Sequence, residues 1–467
     1  MQVFLFFLLI TTVQSFFPHF PFSIPEMGER ILSTLKTRKC IGSFQIETRE
    51  IKSILKPSTD PLFNQIKGFY GIIGPDINIS SVSSLYDLFT GDGMIQGVFF
   101  KGGKMTFVKH FVRTDKLLYE SIYGRFSKNL FMTPLYILLN KMGCLPNTMG
   151  LANTAFLKTP KETFALFERD HPYQINIDVE NHNLHTVKKR IIPDLTHFSG
   201  HSKYKNQKIH TIDYDVLTNQ LAYIQLTSQF NILFKTVIKT HYVPLIHDFV
   251  LSGNNMLFVD SPFVWMFSMD TKNPPVRFDR TQPTYIYLYD NVNHTTKFWM
   301  SPLSFYVFHY GHVEIGENID MYAPVYDDID FSSLHIKGRY RHISLRPSGD
   351  VVIKKNWALE NLNLDFPLKW RRYVILREIE NHVIKGFVVC KGLTIIKRIR
   401  LPEDRVFCGE PSIIERLGEP YLLGLSYDKY EMGYVSLISV FKDDYREIEL
   451  KERVSIGFHS IFMTPDE

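Results

Sequence analysis

Four of the seventeen histidines lie beside segments with β-strand character, and they are the residues best suited to do chemistry. They are His201 in SGHSKYKN, His247 in VPLIHDFVLS, His309 in SFYVFHYGHVE and His459 in VSIGFHSIF. Neutral imidazoles without thiolates suit zinc, copper, iron or nickel, because imidazole is a borderline ligand for all of these ions. A single histidine beside apolar residues is usually an ordinary core residue, and the gaps between these four carry no local geometry. The histidines alone are therefore candidate metal ligands with ordinary core residues as the alternative, and they leave the ion open.

Three acidic residues also lie in apolar surroundings, where an unpaired charge is costly. They are Glu168 in FALFERDHPY, Asp365 in LNLDFPLKW and Glu410 in FCGEPSII. A metal-bound imidazole usually donates its other N–H to a carboxylate, which fixes the orientation of the ring. These acids are therefore candidates to orient metal-bound histidines, and the alternative is that they are surface acids at strand ends.

The composition is close to the globular average, and the chain is long enough to bury a large core. Of 467 residues, 45% are hydrophobic and 22% are charged, which excludes general disorder. The net charge of +5 does not argue for a nucleic-acid partner. Aromatic residues make up 14%, which suits many strands and an apolar pocket.

The elements that must position these side chains are short strands. From about Gln65 onward, apolar-aromatic segments alternate with turn residues, and YLLGLSYDKYEMGYVSLISVF predicts a hairpin with its turn near Asp428 to Met432. Strands at this spacing are typical of a sandwich, a barrel or a propeller. A propeller is favoured, because radial repetition extends a chain of this length without leaving long open edges. No fixed repeat length is visible.

Two segments depart from the strand pattern. Residues 119–151 are apolar between basic residues, and they predict either a core helix or a hydrophobic cap that could touch a membrane. Val3–Val13 is an apolar run too short to cross a bilayer by itself. Residues 1–15 are accordingly predicted to be a signal peptide or a membrane-anchoring segment, residues 16–64 an N-terminal extension, and residues 65–467 one propeller domain. Three locations of the protein stay open: a peripheral membrane site, the cytoplasm and the secretory pathway.

Several common chemistries lack their sequence signature. There is no glycine-rich phosphate loop, no HExxH and no GxSxG, so phosphoryl transfer, zincin and serine-hydrolase chemistry have no support. The four cysteines form no CxxC pair, which argues against a thiolate zinc site and against a disulfide scaffold.

The order of the motifs resembles the carotenoid cleavage oxygenases, a family of carotenoid dioxygenases, stilbene-cleaving oxygenases and the retinal pigment epithelium isomerohydrolase. IKGFYGIIGPDINI and YDLFTGDGMIQGVFFKGGKMTFVKHFVRTDK resemble the family's glycine-rich segments near its N-terminus. His201-Ser202-Lys203 resembles its first iron-ligand motif, and the segment around His247 resembles the second. Phe308-His309 resembles the third motif, and Gly457-Phe458-His459-Ser460 resembles the fourth. The resemblance covers about residues 65–465.

The resemblance implies an all-β fold, a seven-bladed β-propeller with a helical dome over an axial metal site. It implies one Fe(II) held by four histidines: His201, His247, His309 and His459. It implies three acids that each orient a ligand imidazole: Glu168, Asp365 and Glu410.

The chain departs from the family pattern beside these residues. Ser202 replaces a usual proline, Ser460 replaces a glycine, and Asp365 is one methylene shorter than the usual glutamate. His312 stands where asparagine is usual, so an extra imidazole is expected near the site, where it could compete as a ligand.

The expected activity is oxidative cleavage of a conjugated C=C bond of a carotenoid or apocarotenoid by Fe(II) and O2, giving two carbonyl products. A stilbene-cleaving oxygenase and a retinoid isomerohydrolase are alternatives on the same iron site. From another class, an inactive propeller could bind lipids or a partner, and a propeller glycosidase with paired carboxylates is the most distant alternative. The expected partners are a lipophilic polyene or stilbene, O2 and a peripheral membrane surface.

Overall fold

The computed structural model describes residues 50–77, 82, 84–126, 133–148, 150–266, 276–416 and 418–465. These residues form two units, one made of residues 50–117 with 150–465 and the other of residues 118–148. The predicted signal or anchor segment, residues 1–15, lies outside the described residues, as does the extension up to residue 49.

The larger unit consists of antiparallel sheets that follow one another along the chain. The first contains β1 (Ile51–Ile54), β2 (Gly68–Asp76), β3 (Asp92–Lys101), β4 (Lys104–Phe111) and, from near the C-terminus, β32 (His459–Met463). The second contains β5 (Ala155–Lys158), β6 (Thr163–Leu166), β7 (Tyr173–Asp178) and β8 (Asn183–Lys189). The third contains β9 (Lys203–Lys205), β10 (Lys208–Asp215), β11 (Gln220–Leu226) and β12 (Ile232–Lys239).

The remaining sheets repeat this four-stranded plan. The fourth contains β13 (Val250–Ser252), β14 (Asn255–Asp260), β17 (Thr284–Asp290) and β18 (Thr295–Ser301), with β15 (Phe263–Trp265) and β16 (Val276–Phe278) as a separate pair. The fifth contains β19 (His312–Ile315), β20 (Ile319–Tyr326), β21 (Gly338–Leu345) and β22 (Val351–Lys354). The sixth contains β23 (Leu364–Trp370), β24 (Tyr373–Glu380), β25 (Val383–Lys391) and β26 (Thr394–Arg400). The seventh contains β28 (Ser412–Arg416), β29 (Glu419–Tyr427), β30 (Met432–Ser439) and β31 (Tyr445–Arg453). Because β27 (Val406–Phe407) pairs with both β25 and β29, the sixth and seventh sheets are joined into one nine-stranded sheet.

Tight turns join neighbouring strands and are encoded by local sequence. Asn206-Gln207 and Asn381-His382 link β9 to β10 and β24 to β25, and all four residues have φ between +50° and +66°. Two positive φ angles are what a two-residue type I′ hairpin requires, and asparagine accepts this conformation readily. The predicted hairpin at Asp428 to Met432 is confirmed, since β29 and β30 pair antiparallel with Tyr427 opposite Gly433.

The hydrophobic core is divided among the interfaces between consecutive sheets. One cluster of buried residues joins the first sheet to the second, and others join each following pair. A further cluster packs Tyr70 and Ile72 of the first sheet against Leu423 and Leu437 of the seventh, so the packing runs round a closed ring. Neighbouring residues of β2 serve different interfaces, because Phe69 and Ile73 face the second sheet while Tyr70 and Ile72 face the seventh. The larger unit is therefore a seven-bladed β-propeller.

Close backbone contact at the junction of the seventh and first sheets explains why positions 409 and 457 are glycines. The Gly457 amide donates to the Cys408 carbonyl at 2.6 Å, and a Cβ on Gly409 would lie 2.2 Å from the Gly457 carbonyl oxygen. A backbone atom cannot yield as a flexible side chain can. This contact holds the segment of Glu410 against the segment that leads to His459.

We expect Gly409→Ala to lower the free energy of unfolding by about 1–3 kcal/mol, because the added methyl forces the two backbones apart. Urea unfolding measures the change. Gly316→Ala is the matched control, since the nearest atom to its Cβ would be 3.8 Å away, and its cost should stay within about 0.5 kcal/mol. Equal effects of the two substitutions would contradict this role of Gly409.

Short helices complete the fold. They are α1 (Pro61–Asn64), α2 (Leu85–Phe89), α3 (Asp115–Tyr123), α4 (Thr133–Lys141) and α5 (Trp357–Glu360). The unit of residues 118–148 has its own small cluster, in which Tyr136, Leu139 and Leu145 are buried. The helical character expected within residues 119–151 is therefore confirmed, while their role as a cap stays a prediction. Among the described residues, no helix has the length and apolar character needed to span a membrane.

Candidate metal centre

The four predicted histidines lie at the same relative position in four different sheets. His201, His247 and His309 stand two or three residues before β9, β13 and β19, and His459 is the first residue of β32. Each of these strands forms one edge of its sheet. The repeated sheet plan therefore brings together side chains that are far apart in the sequence.

The imidazoles form one compact group. The ring centroid of His201 lies 4.4 Å from that of His247, 5.1 Å from His309 and 4.7 Å from His459. The His309 ring is 5.1 Å from His247 and 5.0 Å from His459. The ligand atoms of His201, His309 and His459 all lie within 4.8 Å of one another. The His201 and His247 Nε2 atoms are 2.9 Å apart.

This group fits a transition-metal ion. Two ligands at a right angle with bonds of about 2.1 Å have nitrogens about 3 Å apart, which is close to the separation of the His201 and His247 Nε2 atoms. The His459 Nε2 atom is buried and has no hydrogen-bond partner among the described residues. A buried polar atom without a partner is costly unless a ligand satisfies it. The donor set contains only imidazoles, which several divalent transition metals accept.

Burial keeps the central imidazoles neutral. Desolvation, helped by the neighbouring imidazoles, holds the pKa of His201 and of His309 well below the ordinary histidine value. Only a neutral imidazole has a free lone pair for a metal. The environment therefore favours the protonation state that metal binding requires.

Two of the three predicted acids contact imidazoles of this group. The Glu168 Oε1 atom lies 2.7 Å from the His247 Nδ1 atom, and the Tyr214 hydroxyl donates to the other carboxylate oxygen at 3.1 Å. The Glu410 Oε2 atom lies 3.2 Å from the His459 Nδ1 atom and accepts from the Ser460 backbone amide at 2.8 Å. A carboxylate at Nδ1 selects the tautomer whose Nε2 is free to bind a metal.

The third acid is engaged differently. The two carboxylate oxygens of Asp365 each accept from Arg377, at 2.8 Å and 2.8 Å, and both side chains are buried. The next residue, Phe366, places its ring 4.3 Å from His309 and 4.9 Å from His459. Sequence reasoning missed Phe366 and Arg377, and the only available signal for Phe366 was its place beside the candidate acid.

His312, the expected extra imidazole, contacts other groups. Its Nε2 atom lies 2.5 Å from Glu314 and its Nδ1 atom lies 2.6 Å from the Lys369 ammonium. Among the described residues, the histidines whose ligand atoms lie close enough together to share a metal ion do not include His312. Its surroundings are those of a partly exposed residue between the fifth and sixth sheets.

The two serines beside the histidines are accommodated by hydrogen bonds. The Ser202 hydroxyl is buried and lies 2.9 Å from the Ser199 carbonyl and 2.8 Å from the Thr211 hydroxyl. The Ser460 hydroxyl pairs with that of Ser412 at 2.9 Å. Neither departure leaves its own hydroxyl without a partner.

An aromatic cluster lies beside the imidazoles and consists of Phe263, Tyr306, Phe308 and Tyr326. Phe308 presents its edge to His247, with the ring centroids 5.3 Å apart, and stacks edge-on with Tyr306 at 4.7 Å and Tyr326 at 5.1 Å. These rings shield one side of the group from water and give it an apolar neighbourhood.

We expect Glu410→Gln to weaken Fe(II) affinity about 10–100-fold, because an amide holds the His459 ring less firmly than a carboxylate. Competition with a chromophoric chelator measures the affinity. Glu415→Gln is the control, since the Glu415 side chain is 49% exposed and contacts Arg371 rather than a histidine. Unchanged affinity in Glu410→Gln would show that this carboxylate does not support the centre.

Sequence comparison with known proteins gives a family match over most of the chain and matches to single relatives over less than half of it. The family model described as retinal pigment epithelial membrane protein matches residues 64–464. A carotenoid 9,10(9′,10′)-cleavage dioxygenase of Arabidopsis thaliana is 32% identical over 218 residues, which cover 42% of this chain and 39% of that protein. Isozyme III of the lignostilbene-α,β-dioxygenase of Sphingomonas paucimobilis is 24% identical over 232 residues, covering 48% of this chain and 46% of that protein. These two alignments thus span less than half the length of either relative.

A likeness of fold extends further. The solved structure of a Synechocystis apocarotenoid oxygenase variant superposes with a TM-score of 0.72 at 18% identity, covering 90% of this chain and 97% of that one. At this identity the likeness concerns the fold.

Proposed function

The chain belongs to the family of the retinal pigment epithelial membrane protein and the carotenoid cleavage oxygenases, and from that membership we propose that it is a non-haem Fe(II) dioxygenase. Its substrate would be a carotenoid or an apocarotenoid, cleaved at one conjugated C=C bond. The observation that carries the proposal is the group of four imidazoles, of which His201 and His309 are held neutral by burial.

His201, His247, His309 and His459 would hold the iron. Bound Fe(II) would supply the activation of O2 beside the double bond, and one oxygen atom would end on each of the two carbons. Neutral imidazoles leave the charge of the ion undiminished, since the group found among the described residues contains histidines and no carboxylate. Glu168 and Glu410 hold the His247 and His459 rings in orientation through their Nδ1 atoms.

The protein's remaining work is to position the substrate and exclude water. The aromatic cluster is apolar, and its Phe308 ring contacts the His247 imidazole. An apolar wall of this kind suits a polyene, which has no polar group near the bond that is cleaved. Positioning one double bond in a dry site lowers the entropic cost of the reaction without a general base.

A stilbene is the second candidate substrate, because one relative is named a lignostilbene dioxygenase. The same site chemistry applies, since a stilbene also carries a conjugated C=C bond between apolar groups. A panel of carotenoids, apocarotenoids and hydroxylated stilbenes, compared by kcat/KM, separates the two substrate classes.

Peripheral membrane contact is part of the proposal. In α3, Leu118 and Ile122 are one helical turn apart, and they are 46% and 72% exposed. Adjacent exposed apolar side chains on one helix face favour insertion at a lipid surface. Replacing both with serine should reduce co-sedimentation with vesicles of neutral phospholipid, and undiminished binding would contradict this contact.

Cleavage under labelled oxygen tests the proposed activity. Purified protein, loaded anaerobically with Fe(II), is mixed with the substrate panel under ¹⁸O₂ and quenched early to limit exchange of the carbonyls with water. The proposal predicts label in both carbonyl products. Isomerisation without cleavage would point instead to a non-oxidative reaction at the same site. Cleavage in which one carbonyl carries unlabelled oxygen from water would contradict a dioxygenase.

A further inference from the structure

The Phe366 ring lies between the metal-site imidazoles and a buried arginine. On one side its centroid is 4.3 Å from that of His309 and 4.9 Å from that of His459. The guanidinium carbon of Arg377 lies 3.5 Å from the centroid of the same ring. One side chain therefore contacts two candidate ligands and is itself backed by a rigid planar group.

The backbone at Phe366 is strained. Its φ is +41°, in a region that non-glycine residues rarely adopt. Pro367 follows, and a residue before proline normally prefers an extended conformation with negative φ. The register of β23 with β24 shifts between Asp365 and Leu368, and this irregularity in the strand changes the direction of the Phe366 side chain. Such strain persists only where contacts with the surrounding structure hold the residue in that conformation.

The Asp365–Arg377 pair explains how the ring is held. Both carboxylate oxygens accept from Arg377, and this fixes the plane of the guanidinium. A planar guanidinium stacks on an aromatic face, which a lysine ammonium cannot do in the same way. Asp365 thus orients the Arg377 guanidinium, and the guanidinium supports the Phe366 ring.

We propose that Phe366, backed by Arg377, is a positioning residue that holds the His309 and His459 imidazoles in the orientation in which they reach a shared metal ion. This inference rests on the proposed function in that the four imidazoles must hold a metal. It assigns to an aromatic ring the task that Glu168 and Glu410 perform for His247 and His459 by direct contact at Nδ1.

Cobalt(II) titration of the full-length apoprotein tests the proposal, because the visible bands of Co(II) report the arrangement of its ligands. Phe366→Leu removes the ring and should weaken Co(II) affinity about 10-fold and shift the visible bands. Arg377→Lys keeps the charge beside Asp365 but removes the planar support, and it should change affinity and bands in the same direction. Phe366→Tyr keeps the ring and should resemble the wild type in both.

A matched control exists elsewhere in the propeller. The guanidinium carbon of Arg405 lies 4.1 Å from the Tyr434 ring centroid, and Arg405 pairs with both oxygens of Glu447. Arg405→Lys therefore disturbs the same kind of stack away from the imidazoles, and it should leave the Co(II) bands and affinity unchanged.

The outcomes separate this inference from the proposed function. The proposed metal site would be overturned if the wild type binds no Co(II). It would also be overturned if the His309→Ala variant binds Co(II) as tightly as the wild type does. If the wild type binds through His309 and both Phe366→Leu and Arg377→Lys keep its affinity and bands, the positioning role is wrong and the site stands. Should Phe366→Leu fail to fold by circular dichroism, Arg377→Lys decides the question by the same readouts.

Discussion

Replacing His309 with alanine is expected to reduce bound iron to background and to abolish cleavage. The His309 imidazole is buried, and its ring lies within 5.1 Å of the rings of His201, His247 and His459. Removing it leaves three imidazoles and exposes the Phe366 ring to a new cavity, so the remaining ligands also lose a packing partner. Iron per chain is measured by plasma emission after anaerobic loading, and activity by loss of polyene absorbance.

His312→Ala is the control for that experiment, because it removes an imidazole only three residues away. The ring nitrogens of His312 contact Glu314 and Lys369, so iron and activity should stay near those of the wild type. Wild-type activity in His309→Ala would contradict the assignment. Equal losses in both variants would indicate a general effect on this segment rather than a ligand role.

Arg377→Met is expected to lower the free energy of unfolding by about 3–5 kcal/mol, which is the usual effect of removing one partner of a buried ion pair. The substitution leaves the Asp365 carboxylate buried, with neither of its two hydrogen bonds from Arg377. It also removes the stack on Phe366. Urea unfolding followed by tryptophan fluorescence measures the change.

The double variant Asp365→Leu/Arg377→Met separates these two contributions. An apolar pair of similar volume restores much of the lost stability, because no charge is left buried alone. The remaining deficit then reports the lost stack on Phe366. A single Arg377→Met variant as stable as the wild type would show that water or another group satisfies the Asp365 carboxylate and that Arg377 does not stabilise it.

The fold could be predicted from the sequence because its elements are local. Turn dipeptides such as Asn206-Gln207, and the hairpin near Asp428, define strands without knowledge of long-range contacts. The repeat was not visible because each strand serves two sheet interfaces with different partners, as Phe69 and Tyr70 do. The β15–β16 pair also interrupts the regular spacing of the fourth sheet.

The candidate site could be predicted only in part. The four histidines were identified by their motifs, and the structure brings them together. The partner of Asp365 could not be predicted, since Arg377 lies opposite it on the adjacent antiparallel strand, next to a register shift. The surroundings of His312 were equally hidden, because Lys369 comes from the neighbouring sheet.

X-ray absorption of protein loaded anaerobically with one equivalent of Fe(II) tests the central claim most directly. We expect about one iron per chain, with a ligand shell dominated by about four imidazole nitrogens near 2.1 Å. Protein that retains no iron, or a shell made mainly of carboxylate oxygens, would contradict a four-histidine iron centre and with it the proposed dioxygenase.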